Sequence, residues 1–277
     1  MRIGGLRQSS NVEDRRGMGG PGMLIGGGGL GTVAIVLIAM FLGVDPGEII
    51  NATGGGQPAQ VQPSGERGPR PDDELATFSR QVLGSTEDVF GKLLGPRYKP
   101  PVLVLYDGAT EAGACGVGQA AMGPFYCPPE RKLFLDLSFF REMDRKLGAA
   151  GDFAQAYVIA HEVGHHIQTL TGVSSEAQRA MRSSSQTRAN QISVRVELQA
   201  DCYAGVWAAH VQNILEPGDI EEGLTAAAAV GDDALQAKSR GRVVPDSFTH
   251  GSSEQRARWF QTGLQSGRLE ACDTFNG

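Results

Sequence analysis

Residues 160–167 read Ala-His-Glu-Val-Gly-His-His-Ile. His161 and His165 are four apart, so on a helix both imidazoles leave the same face. The flanking residues call for that helix. Phe153, Ala156, Tyr157, Ala160, Val163, Gly164, Ile167 and Leu170 recur at helical spacing. Asp152 is expected as its N-cap, with Gln155 in the capping-box position. Gly172 is expected to end it, giving about five turns. Two imidazoles so placed can grip one zinc ion, and Glu162 can reach a water on that metal. The bland alternative is a helix that happens to carry a partly buried histidine pair.

A zinc hydrolase site needs a third protein ligand. The metzincin extension would put a glycine and a histidine where Gln168 and Thr171 stand, so it is excluded. A Glu from a later helix is the other common solution, and the helical run from about Gln186 to Leu215 contains Glu197-Leu198-Gln199-Ala200-Asp201. Carboxylates four apart on one helix normally repel. Their spacing makes sense if Glu197 binds zinc while Asp201 hydrogen-bonds the outer nitrogen of a ligand histidine. Two solvated acids are the alternative, and the neighbours Val196, Leu198, Ala200, Cys202 and Tyr203 argue against it.

The pairing of His161-Glu162-x-x-His165 with Glu197-x-x-x-Asp201 resembles the gluzincin arrangement. It is more closely similar to membrane-anchored proteases related to the CAAX prenyl protease. Nearly the whole chain resembles the bacterial family called putative neutral zinc metallopeptidase. The matching stretches are Asn11 to Arg16, one hydrophobic segment, both zinc motifs, Ser247 to Arg256, and Cys272 to Phe275. The resemblance implies a mostly helical α+β, zincin-like peptidase domain with a small sheet, preceded by one transmembrane helix. One zinc per chain and a protein or peptide substrate are implied with it. In zincin folds an edge strand binds extended substrate, and residues 113–135 are the candidate here.

In chain order, residues 1–22 are polar and Gly-rich and read as a disordered cytoplasmic N-terminus. Residues 23–44 are uncharged and long enough to cross a bilayer core of about 30 Å. No Lys or Arg follows until Arg67, so the N-terminus is expected in the cytoplasm and the catalytic domain outside, periplasmic or at the cell surface. A cleaved signal peptide competes, but no Ala-x-Ala site follows the apolar run. Gly26-x-Gly28-x-x-Gly31 fits the dinucleotide pattern without the strand that pattern requires. Residues 45–70 form a linker with a reach of roughly 25–30 Å. The peptidase domain is expected over 71–277. It should hold a helix to about Leu94, strands at 102–106 and 132–135, and a hairpin between Gly113 and Cys127. Helices should follow from Ser138, Asp219, Asp232 and the capping box Ser252-x-x-Gln255.

Net charge is −6, which carries no nucleic-acid signature. Four cysteines all follow the apolar segment, and none forms a Cys-x-x-Cys pair. Disulfides Cys115–Cys127, closing the hairpin, and Cys202–Cys272, stapling the tail to the Glu197 helix, are expected, with buried free thiols as the alternative. A peptidase also needs a donor for the oxyanion. His250 is the leading candidate, ahead of Tyr203 and Tyr157, with a loop-ordering histidine as the alternative. His166 lies about 140° from the ligand face. The expected chemistry has His161, His165 and Glu197 holding zinc and Glu162 as general base. A membrane-anchored binding or regulatory protein with a non-catalytic zinc site, and a zinc hydrolase of cell-wall amides, are the competing functions.

Overall fold

The computed structural model describes residues 1–17 and 73–276. In chain order these form β1 (Val12–Asp14), α1 (Asp73–Leu94), β2 (Val102–Tyr106), β3 (Ala109–Glu111), β4 (Val117–Gln119), β5 (Phe125–Cys127) and β6 (Lys132–Asp136). Next come α2 (Ser138–Glu142), running into a π-helical turn at Met143–Leu147, then α3 (Asp152–Thr171), α4 (Val173–Arg182) and α5 (Gln186–His210). The last elements are α6 (Asp219–Ala229), α7 (Asp232–Arg240) and α8 (Ser253–Ser266). The fold is mostly helical α+β with a small sheet. The expected transmembrane helix at 23–44 and linker at 45–70 lie outside the described residues. No described helix is long and apolar enough to cross a membrane.

Continuous apolar runs suit strands covered on both faces, and β2 and β6 are such runs. Leu103, Leu105, Leu133 and Leu135 face the helical core, while Val104, Tyr106 and Phe134 face a smaller cluster with Cys127. The sheet order is β1-β2-β6-β5, parallel except for β5 against β6. Strands β3 and β4 form a separate antiparallel ribbon, and the Cys115–Cys127 disulfide ties its connection to β5. Strand β5 is the outer strand of the sheet among the described residues, within the 113–135 region expected to supply an edge.

Helix α3 runs through the core against α1, α5 and α6. Gly151, not Asp152, is its N-cap. Asp152 accepts instead from the Met1 ammonium at 2.7 Å. The Phe153 N–H is satisfied by Glu222 of α6 at 3.1 Å, a tertiary cap that no local pattern reveals. Gly172 ends α3 with φ 88°. Gly218 likewise replaces Asp219 as the N-cap of α6. Helix α5 stops at His210, before the expected Leu215.

The N-terminal expectation needs correction. Residues 1–17 are part of the fold. Val12, Glu13 and Asp14 pair with Leu103, Val104 and Leu105. Upstream, the segment crosses α1 where Gly84 has no side chain, since a Cβ there would lie 2.6 Å from the Arg7 carbonyl oxygen. Ser9 and Asn11 both bind Glu87, and Arg7 binds Asp88 at 2.7 Å. Polar contacts to α1, together with Met1, Ile3, Leu6 and Val12 packed on the core, hold this stretch, so low overall hydrophobicity is a poor guide to it.

Sheet pairing between residues 12–14 and 103–105 puts both on one side of any bilayer. The expected placement, with the N-terminus in the cytoplasm and the catalytic domain outside, can be probed on this pairing. Epitopes inserted at Gly5 and Arg242, both exposed, should become accessible together when intact cells and spheroplasts are probed. Access to one alone would overturn the common placement.

His166 braces α3 against the sheet side. Its Nε2–H donates to the Lys99 carbonyl at 2.5 Å, and its Nδ1 accepts from the Tyr126 hydroxyl at 2.9 Å. Burial depresses its pKa from 6.5 to about 4. A depressed histidine contributes stability above pH 6.5 that is lost as pH falls towards 4. The loss is about 3 kcal/mol at one pKa unit per 1.36 kcal/mol. Urea unfolding of His166→Gln at pH 7 and pH 4 should show a correspondingly smaller pH dependence than wild type.

Candidate metal centre

Helix α3 presents Val158, His161, Glu162 and His165 to one cleft of about 470 Å³. Helix α5 crosses it very closely. A Cβ on Gly164 would lie 2.9 Å from both the Cα and the carbonyl oxygen of Ala200, so a larger residue would push the helices apart. Glu197 lies one turn before Ala200 on α5, which brings its carboxylate level with the histidines.

His161 Nε2 is 3.3 Å from Glu197 Oε2, and His165 Nε2 is 3.6 Å from Glu197 Oε1. The three ligand atoms lie within 4.8 Å of one another. A tetrahedral zinc with bonds of about 2.0–2.1 Å spaces its ligand atoms by about 3.4 Å. The donor types and spacings thus fit zinc. Glu162, 8 % exposed, adjoins this cluster in the same cleft.

Both outward nitrogens are held. His161 Nδ1 is 2.8 Å from Asp201 Oδ1. Asp201 is fully buried and is bound at 2.9 Å by both Nε and Nη2 of Arg256, and also by the Tyr157 hydroxyl. His165 Nδ1 is 2.9 Å from Gln168 Oε1. Such partners fix the ring orientation and the tautomer of a ligand histidine.

Burial alone would raise the Asp201 pKa, but Arg256 and His161 outweigh it and hold the carboxyl below its ordinary value. Burial likewise opposes Glu197 ionisation, and His165 and His161 overcome it. For His161, burial pulls down while Asp201 and Glu197 raise the pKa to about 9. The site is therefore charge-dense and metal uptake must release protons. Glu162 differs, because burial dominates and raises its pKa above the usual carboxylate value. A raised carboxylate is a better proton acceptor near neutral pH.

His250 lines the same cleft. Asp232, at the start of α7, accepts from its backbone N–H at 2.6 Å and lies 3.3 Å from its Nδ1. The Tyr157 hydroxyl is committed to Asp201, and Tyr203 is not among the cleft-lining residues. Both cysteine pairs form the disulfides expected, Cys115–Cys127 and Cys202–Cys272.

The sequence reading missed Arg256 and Gln168. Arg256 stood inside a capping-box helix without a role. Gln168 was noted only as a position lacking the metzincin glycine. Neither pattern signals the partner that the tertiary fold supplies.

Two histidines and a glutamate so arranged could together hold one metal ion, with a buried second glutamate beside them. The chain matches the family described as "Putative neutral zinc metallopeptidase" over residues 1–275 and belongs to it. It is 49% identical over 288 residues to "Uncharacterized protein YpfJ" of Escherichia coli K12, covering 99% of each chain. It is 38% identical over 255 residues to "Uncharacterized protein Rv2575" of Mycobacterium tuberculosis, covering 86% of this chain and 85% of that one. No solved structure matches the chain.

Arg256→Met would leave Asp201 buried without its cation. Breaking a buried ion pair from one side costs about 3–5 kcal/mol. Calorimetry should show a large drop in Tm. An unchanged Tm would mean that His161 and Tyr157 suffice to hold the charge.

Proposed function

We propose that the chain is a zinc-dependent peptidase of zincin-like, gluzincin type. The convergence of His161, His165 and Glu197 with Glu162 on one cleft wall carries this reading. His161, His165 and Glu197 would hold the zinc ion, which would supply Lewis acidity towards a scissile carbonyl and an attacking water. Glu162, destabilised as an anion by burial, takes a proton from the attacking water and returns it to the leaving amine. His250, anchored through Asp232, is the donor proposed for the developing oxyanion. Asp201 and Arg256 keep His161 oriented throughout.

The cleft supports a peptide substrate. Gly123, Pro124, Phe125 and Tyr126, at and before outer strand β5, line it together with the metal triad. An extended chain can add to such an edge through its backbone. Phe139, Met143, Leu147 and Val158 give the cleft an apolar compartment, which favours bulky apolar residues near the scissile bond. A purely structural metal site has no use for Glu162 beside it. The two disulfides support an oxidising, extracytoplasmic compartment for the folded unit. The apolar stretch 23–44 supports membrane attachment, with residues 1–17 on the same side as the cleft.

Glu162→Gln should retain one zinc per chain, read by metal analysis. Its kcat on a peptide library should drop by about 10²–10⁴-fold, the range for loss of a general base. Hydrolysis at the wild-type rate by that variant would remove Glu162 as the base.

A further inference from the structure

His165 is held by a chain of groups that ends far from the cleft. Gln168 Oε1 lies 2.9 Å from His165 Nδ1. Gln168 Nε2 donates to the Val196 carbonyl at 2.7 Å and to Gln199 Oε1 at 3.1 Å. Gln199 Nε2 donates in turn to the Cys272 carbonyl at 2.9 Å. Gln168 is 0 % exposed and Gln199 5 %. Cys272 is covalently joined to Cys202 of α5, and the tail beyond it is bound through Thr274 to the Arg195 carbonyl at 2.7 Å.

The polarity of this chain is determined by its fixed ends. Backbone carbonyls can only accept. The Cys272 carbonyl requires the NH₂ of Gln199, which turns the Gln199 oxygen towards Gln168. The Val196 carbonyl and the Gln199 oxygen together require the NH₂ of Gln168. The Gln168 oxygen must then face His165, so the proton sits on Nδ1 and the free electron pair on Nε2, the nitrogen beside Glu197. Reversing either amide sets donor against donor or acceptor against acceptor in a buried space, at the cost of unsatisfied groups.

We propose that Gln168 and Gln199 are positioning residues through which the disulfide-held C-terminal tail sets the orientation and tautomer of His165. The inference rests on the zinc reading above and adds its regulation: a dithiol reductant that passes two electrons and two protons to Cys202–Cys272, itself becoming a disulfide, leaves two thiols and frees the carbonyl that ends the chain. The metal site is thereby coupled to the redox state of a bond outside the cleft. The other disulfide, Cys115–Cys127, has no link to either amide.

The test is zinc affinity of the full chain by competition with a chelator, alongside Tm. Removing a partner of this kind typically weakens metal binding by about 10–100-fold. Gln168→Met should fall in that range. Gln199→Met, which touches no ligand, should lose at least about 3-fold, and Cys202→Ala/Cys272→Ala should move the same way. Cys115→Ala/Cys127→Ala should leave zinc affinity unchanged even where Tm falls. Nitrogen-15 NMR of the metal-free protein, recorded at a pH high enough that the His165 imidazole is neutral, gives a readout that loss of packing alone would not move. His165 should be protonated on Nδ1 in the wild type and lose that preference in Gln168→Met. Gln199→Met with wild-type zinc affinity and an unaltered His165 tautomer would overturn the proposal while leaving the zinc site standing. A wild type that takes up no zinc would overturn both.

Discussion

The close crossing of α3 and α5 at Gly164 and Ala200 is the contact on which the rest of the site depends. Residues on one helix can align two histidines, but a single helix face has no room for a third ligand approaching from the opposite side. Here the candidate third ligand, Glu197, comes from a second helix, and its reach is short. Glutamate spans the gap only because Gly164 lets the backbones come together. The other packing follows this axis. Helix α8 lies along α5 and delivers Arg256, while α6 abuts α3 and supplies the Glu222 that caps it.

Burying so many ionisable groups in one place is costly unless each is compensated. Asp201 faces Arg256, His161 and Tyr157, so its charge is distributed over three partners. Glu197 faces both histidines. Glu162 alone lacks a dedicated cation and retains a raised pKa. The contrast sets Glu162 apart from the carboxylates whose charge is compensated, in line with the role proposed for it. Five carboxyl or imidazole side chains, His161, Glu162, His165, Glu197 and Asp201, stand together, and their surroundings shift their pKa values in different directions.

The periphery bears on the centre through covalent and polar links. The C-terminal tail reaches α5 through a disulfide and Gln199. The N-terminal segment reaches α1 through Ser9 and Asn11 and enters the sheet as β1. Both ends of the described chain are thus built into the domain that holds the candidate site, and residues 1–17 are not a free tail.

Much of the candidate metal centre was legible in the amino-acid order. His161, Glu162 and His165 share a helix, and helical period alone places them on one face. Glu197 and Asp201 were readable because carboxylates four apart among apolar neighbours need a reason. The capping box at Ser252 and Gln255 and the left-handed Gly172 are local devices, and they appear where local chemistry puts them. Tertiary structure alone decided the rest. Arg256 lies 55 residues from Asp201 in sequence, and Glu222 caps a helix that begins 70 residues earlier. Gln199 finds a carbonyl whose position depends on a disulfide. Residues 1–17 carry only scattered apolar side chains, Met1, Ile3, Leu6 and Val12, which pack on the core alongside hydrogen bonds and ion pairs to partners that exist only once α1 and β2 have formed. Periodicity reports which face a residue occupies; it is silent on which distant group will meet that face.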